Sequence, residues 1–224
     1  MSVTLISVGA GNAGEPAAPA IRAGEAIFNT VCVACHGKSG EGNLALKAPS
    51  IAGMASWYVQ GQLKSFRAGH RGTDPTDPQP LLMAATAKTL AAGELVGLAD
   101  YVQSLKPVVP VASEVLKGAD LASGRDLFQE RCTECHRYNG SGEVVFGSPP
   151  LTGRQDWYLL EQIKRFKSGK RGAVPGDLNG AKMVFSVQHI GDEQIAKDVV
   201  AYILTLNPVP DVATPFDLPG ALGQ

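Results

Sequence analysis

Apolar residues recur at helical spacing in three stretches of this chain, and each stretch returns about 100 residues later. Gly24, Ile27, Phe28 and Val31 follow i, i+3, i+4, i+7; Val59, Leu63 and Phe66 follow i, i+4, i+7; Leu98, Val102 and Leu105 form a third stripe. Such spacing places one apolar face along a helix. Gly69 and Pro107 supply stops for the second and third helices. The later set is Leu127 with Phe128, then Leu159, Ile163 and Phe166, then Val199, Tyr202 and Leu206. No strand-like alternation accompanies them, so the pattern predicts an all-α chain. The run from Thr73 to Pro80, broken by three prolines, reads as loop.

The recurrence is an internal repeat. A displacement of 100 positions sets Gly24 on Gly124, Phe28 on Phe128, Pro49 on Pro149 and Trp57-Tyr58 on Trp157-Tyr158. It also sets Gln62, Phe66, Gly69 and Arg71 on Gln162, Phe166, Gly169 and Arg171. After one inserted residue, Tyr101 meets Tyr202 and Pro107 meets Pro208. The repeat predicts two tandem domains, 20–107 and 119–208, joined by a linker over 108–118 and flanked by tails over 1–19 and 209–224. Pro107 and Pro110 make the joint extended and stiff.

Composition narrows the chemistry. The formal net charge is -1, which offers no basic surface to nucleic acid and no strongly acidic one to a cationic partner. No apolar run reaches the roughly 18 residues of a membrane-spanning helix. The stretch from Met1 to Ala13 is mildly apolar but lacks the basic start of a signal peptide, and it reads as a remnant or a native tail.

All four cysteines fall in two copies of Cys-x-x-Cys-His, at Cys32, Cys35 and His36 and at Cys132, Cys135 and His136. This pentapeptide is the attachment signature of a c-type haem: each thiol pair forms two thioether bonds, and the adjacent imidazole meets the iron. A zinc ribbon separates its pairs by about 15–20 residues, whereas 96 residues lie between Cys35 and Cys132. A thioredoxin-like motif requires a βαβ setting, which the pattern lacks. The chain is therefore expected to carry two covalently bound haem c groups.

The second axial position needs a ligand. Met83 follows His36 by 47 residues, and Met183 follows His136 by 47. Of the four methionines, only these two occupy equivalent places in the repeat. His70 faces Lys170 and His189 faces Thr89, so both read as surface residues and not as shared ligands. His/Met ligation raises the reduction potential relative to two histidines and leaves no vacant site for a reactant, which points to electron transfer.

Three further shared pairs have two readings each. Pro49 and Pro149 lie 13 residues after each histidine, where a backbone carbonyl could accept from the imidazole Nδ1; the alternative is a simple loop proline. Arg71 and Arg171 suit haem propionates, or are solvated loop charges. Trp57 and Trp157 pack at a haem edge, or are plain core.

These motifs give each half a resemblance to a class I cytochrome c domain. The resemblance runs from Cys-x-x-Cys-His through Pro49-Ser50-Ile51-Ala52-Gly53, Trp57-Tyr58 and Phe66-Arg67-Ala68-Gly69 to Met83 and the closing Ala99-Asp100-Tyr101-Val102. The tandem arrangement is similar to the dihaem cytochrome c4 family over about residues 20–208. Met83 and Met183 are followed by Ala84 and Val184, where the family often has proline. The resemblance implies small helical domains, each wrapped around one haem. It also implies a periplasmic electron carrier between respiratory partners: a dehydrogenase, an oxidase or another cytochrome. Membrane association would be loose and through a partner complex.

One alternative is a dedicated cytochrome subunit of a dehydrogenase or oxidase complex. Another is a dihaem enzyme such as a peroxidase or thiosulfate dehydrogenase, which needs one open or unusually ligated iron. For docking, the near-neutral charge directs attention to apolar skin at Asn43-Leu44-Ala45-Leu46 and Val144-Val145-Phe146.

Overall fold

The computed structural model describes residues 18–108 and 113–206. The first half contains α1 (Ala18–Ile27), a π-helical turn (Phe28–Cys32), α2 (Val33–His36), α3 (Ser56–Ala68), α4 (Pro78–Thr89) and α5 (Leu95–Ser104). The second half repeats the order as α6 (Leu121–Arg131), α7 (Thr133–His136), α8 (Asp156–Lys167), α9 (Leu178–Val187) and α10 (Glu193–Thr205). Among the described residues the only extended pairings are isolated bridges, Asn43 with Ala48 and Glu143 with Ser148. No single described helix is long and apolar enough to cross a membrane.

The apolar stripes become the cores. Phe28, Leu63, Phe66, Leu98 and Val102 are buried together in the first half, and Phe128, Leu159, Phe166, Val199 and Ile203 in the second. The first and last helices of each half cross closely. Phe28 tilts against Tyr101 at 5.3 Å between ring centroids, and Phe128 against Tyr202 at 5.5 Å. Gly69 ends α3 in the left-handed conformation, φ 77°, with its N–H directed back to the carbonyls of Phe66 and Ser65. A residue with a side chain pays for that conformation, and glycine does not.

Two readings change. The run read as loop ends at Asp77, because Pro78 opens α4 and Pro80 lies inside its first turn. Proline is tolerated there because the first N–H groups of a helix have no intrahelical partner. Met83 is therefore presented by a helix. Residues 113–118, read as linker, include a 3-10 turn over Glu114–Leu116 whose Leu116 joins the second core. Residues 109–112, the tail 1–17 and Pro208 with the tail after it lie outside the described residues.

Candidate haem sites and the interface between them

Each Cys-x-x-Cys-His sits on the short turn of helix that follows α1 or α6, and in the second half both thiols and the imidazole border one cavity. Burial, with the neighbouring thiol adding to it, pushes Cys32 and Cys132 up to about 11, so both are neutral thiols at neutral pH. His36 Nδ1 donates to the Pro49 carbonyl at 2.8 Å, and His136 Nδ1 to the Pro149 carbonyl at 3.1 Å. A carbonyl only accepts, so the proton sits on Nδ1 and Nε2 is left with its lone pair for iron. Burial lowers the proton affinity of both imidazoles, partly offset by these bonds, and so favours the neutral form that a metal requires.

A cavity of about 630 Å³ opens beside His136, bordered by Cys132, Cys135, Pro149 and Met183. Its size falls in the range of pockets that hold cofactors. In the first half, Met83 and Cys32 both pack on the buried core. The cavity of the second half is completed by the first: Trp57, Tyr58, Gln62 and His70 also border it. Trp57 thus faces the haem site of the other half. Trp157 lies across the same interface, with Lys47 of the first half 5.6 Å from its ring centroid. His70 and His189, read as surface residues, both border the cavity.

Arg71 and Arg171 are not solvated. Each is 8% exposed, and together they form a reciprocal ring between the halves. Arg71 donates to Gln62 Oε1 at 2.6 Å in its own half and to Gln162 Oε1 at 2.9 Å across the interface. Arg171 donates to Gln162 Oε1 at 2.6 Å and to Gln62 Oε1 at 3.0 Å. Each guanidinium lies over its own half's phenylalanine, at 4.6 Å for Phe66 and 4.4 Å for Phe166, and each reaches the other half's Tyr158 or Tyr58 hydroxyl. Arg154, 6% exposed, adds a third buried guanidinium nearby. None of the three forms an ion pair with a carboxylate among the described residues, though the charge of Asp177 acts on Arg171.

That concentration of positive charge has consequences. Burial would raise the Tyr158 phenol, but Arg71 and Arg171 outweigh it and pull the group down to about 8. Burial, and then Arg171, pushes Arg71 below its ordinary value. Arg71 Nε and Gln162 Nε2 are buried with no hydrogen-bond partner. Buried donors left unpaired cost about 1–3 kcal/mol each, and buried cations call for anions. The chain's own residues therefore fit a group that brings two thiol-reactive vinyls, an iron and acidic propionates to this spot.

Paired thiols and an oriented imidazole in each half, beside buried guanidinium groups, define a dihaem electron-transfer protein. The comparisons agree. The chain belongs to the cytochrome c family, whose model, described as "Cytochrome c", matches residues 21–106 and 121–207. It is a cytochrome c4-like dihaem electron carrier with two covalently bound haem c groups. It is 34% identical over 166 residues to a thiosulfate dehydrogenase electron acceptor of Thiomonas intermedia, covering 71% of this chain and 73% of that protein. The structure of reduced cytochrome c4 from Pseudomonas stutzeri superposes with a TM-score of 0.66 at 27% identity, covering 84% of this chain and 98% of that one. Thiosulfate dehydrogenase TsdBA from Marichromatium purpuratum gives a TM-score of 0.64 at 28% identity, covering 83% of this chain but only 40% of that one.

Several interface residues lay outside the sequence reading. Tyr58, Gln62, Tyr158 and Gln162 were visible as repeated positions, yet repetition alone does not distinguish an interface from a core. Arg154, Gln155 and Arg165 occur in one copy only, so the repeat gave no signal for them.

Proposed function

We propose that the chain is a periplasmic carrier that takes single electrons from a dehydrogenase and hands them to an oxidase or another cytochrome, with no catalytic step of its own. His36 with Met83 and His136 with Met183 would hold the two irons. The observation that carries the reading is the placement of Met183 on the same cavity as His136, with the imidazole Nδ1 already committed to Pro149.

The haem supplies a one-electron couple, Fe(III)/Fe(II). The protein's part would be to hold each imidazole in one tautomer through the Pro49 and Pro149 carbonyls and to offer the iron the soft thioethers of Met83 and Met183. The thioether favours Fe(II) and raises the potential. Arg71 and Arg171, buried at the interface, would neutralise haem propionates there. The Thiomonas relative, named as an electron acceptor of thiosulfate dehydrogenase, supports a sulfur-compound dehydrogenase as donor.

A spectroscopic redox titration of the holoprotein tests this. The expected result is two low-spin haems, each with a methionine-to-iron band in the oxidised state. A high-spin ferric component would favour an enzyme. A low-spin spectrum without the methionine band would favour a histidine pair, for which His70 or His189 at the second cavity is available.

A further inference from the structure

We infer that the second domain positions both iron-ligand segments of the first domain, and that the first does not do this for the second. The inference rests on the His/Met reading above. The reciprocal ring of Arg71 and Arg171 is matched in both halves, but four neighbouring positions are not. Met54, Ala55, Ser65 and His70 of the first half stand where the second has Arg154, Gln155, Arg165 and Lys170.

All four second-half side chains reach across. On the His36 side, the segment that follows the Pro49 carbonyl is held at three points. Ser50 N–H donates to Gln155 Oε1 at 2.9 Å. Arg154 donates to the Ser50 carbonyl at 3.2 Å and to the Ala52 carbonyl at 3.3 Å. Gln155 Nε2 also donates to the Glu41 carbonyl at 3.1 Å. On the Met83 side, Arg165 grips Asp77 with two bonds, Nε at 2.6 Å and Nη2 at 2.8 Å. Asp77 is the residue before α4, the helix that carries Met83. Lys170 donates to Thr76 Oγ1 at 2.7 Å and pairs with Asp74 at 3.6 Å.

Among the described residues no first-half side chain hydrogen-bonds to the second domain's ligand segments, although His70 lies close against Gly176. Pro150 replaces Ser50 and has no N–H to donate. Asp177 makes no ion pair across the interface among the described residues; it accepts from the N–H of Gly180 at the start of its own helix, 2.8 Å away, and its charge acts on Arg171 of its own half. Asp77 makes no such cap. One aspartate caps its helix, while its counterpart has been recruited into a bidentate pair between domains, the stronger and more directional kind of contact.

Arg154, Gln155 and Arg165 are thus positioning residues for the first haem. The test uses full-length holoprotein, with haem-resolved NMR of the reduced state and potentiometry. Met83→His and Met183→His assign the two coordinated-methionine signals. Arg165→Ser, the residue found at position 65, should broaden or shift the Met83 signal and lower the first haem's potential, leaving the Met183 signal in place. Arg165→Lys should restore most of it. Lys170→His, at an exposed site, should give a smaller shift of the same sign without threatening the fold. Equal movement of both signals, movement of Met183 alone, or no movement in either variant overturns the inference. A wild-type protein without two methionine signals overturns the ligation reading instead. Arg154→Met then decides the His36 side, where a fall in the first haem's potential alone is required.

Discussion

Gly24 of α1 and Gly97 of α5 meet backbone to backbone. A Cβ on Gly24 would lie 2.0 Å from the Gly97 carbonyl oxygen, and one on Gly124 would lie 2.0 Å from that of Asp198. The two outer helices of each domain can cross at this distance only because one of them lacks a side chain. Gly24→Ala forces the helices apart and should destabilise the holoprotein by about 1–3 kcal/mol, the usual cost of overpacking. Thermal melting followed at the haem absorbance checks this. An unchanged midpoint would mean that the crossing can relax.

The residue after the histidine of each haem signature differs between the halves. Gly37 has φ 81° and ψ 164°, whereas Arg137 has φ 63° and ψ 157°. This region is essentially reserved for glycine, and a side chain there costs of order 1–3 kcal/mol. Arg137→Gly should therefore raise stability by about 1 kcal/mol after the loss of an exposed ion pair and the greater freedom of glycine in the unfolded chain. Denaturant melting of the two proteins gives the difference directly.

Removal of the haems should unfold most of the chain. Each domain has fewer than about 100 residues and a correspondingly thin core, and a cavity of about 630 Å³ takes the place of packed side chains in the second. Circular dichroism of the apoprotein should show most helical signal lost. Native helical content would show that the side chains alone suffice.

Partner exchange should depend on apolar skin more than on charge. Val145 is 83% exposed and Phe185 is 73% exposed. Val144, beside Val145, borders the second haem cavity. Val145→Asp should slow reduction by the physiological donor several-fold, and raising the salt concentration should change the wild-type rate only mildly, because a chain of net charge -1 steers weakly. Stopped-flow reduction at several ionic strengths measures both.

Much of this molecule was readable in advance. The haem signatures announced themselves because covalent attachment demands a fixed spacing. The helices carrying Leu63, Phe66, Leu98 and Val102 were legible because each buries one face. The helix bearing Met83 was not, since Pro78 and Pro80 carry the strongest loop signal in the sequence and only their place in the first turn makes them compatible with a helix. Arg71 was read with either propionates or solvent as its surroundings; solvent is ruled out by its burial, and the groups it meets across the interface, Gln162 and Tyr158, lie 91 and 87 residues away. Contacts at that range depend on how the domains meet, and no local pattern records it.

Every member of the ring around Arg71 and Arg171 occurs once in each half, which makes the contact isologous, the kind that two identical subunits form in a homodimer. A single domain bearing Tyr58, Gln62, Phe66 and Arg71 would hold all the groups needed to embrace its own copy. The tether then contributes proximity and not recognition, since a short connector keeps the faces at millimolar effective concentration. Once joined, the halves no longer have to stay alike, and positions 54, 65 and 70 show how a symmetric pair can specialise without losing its embrace.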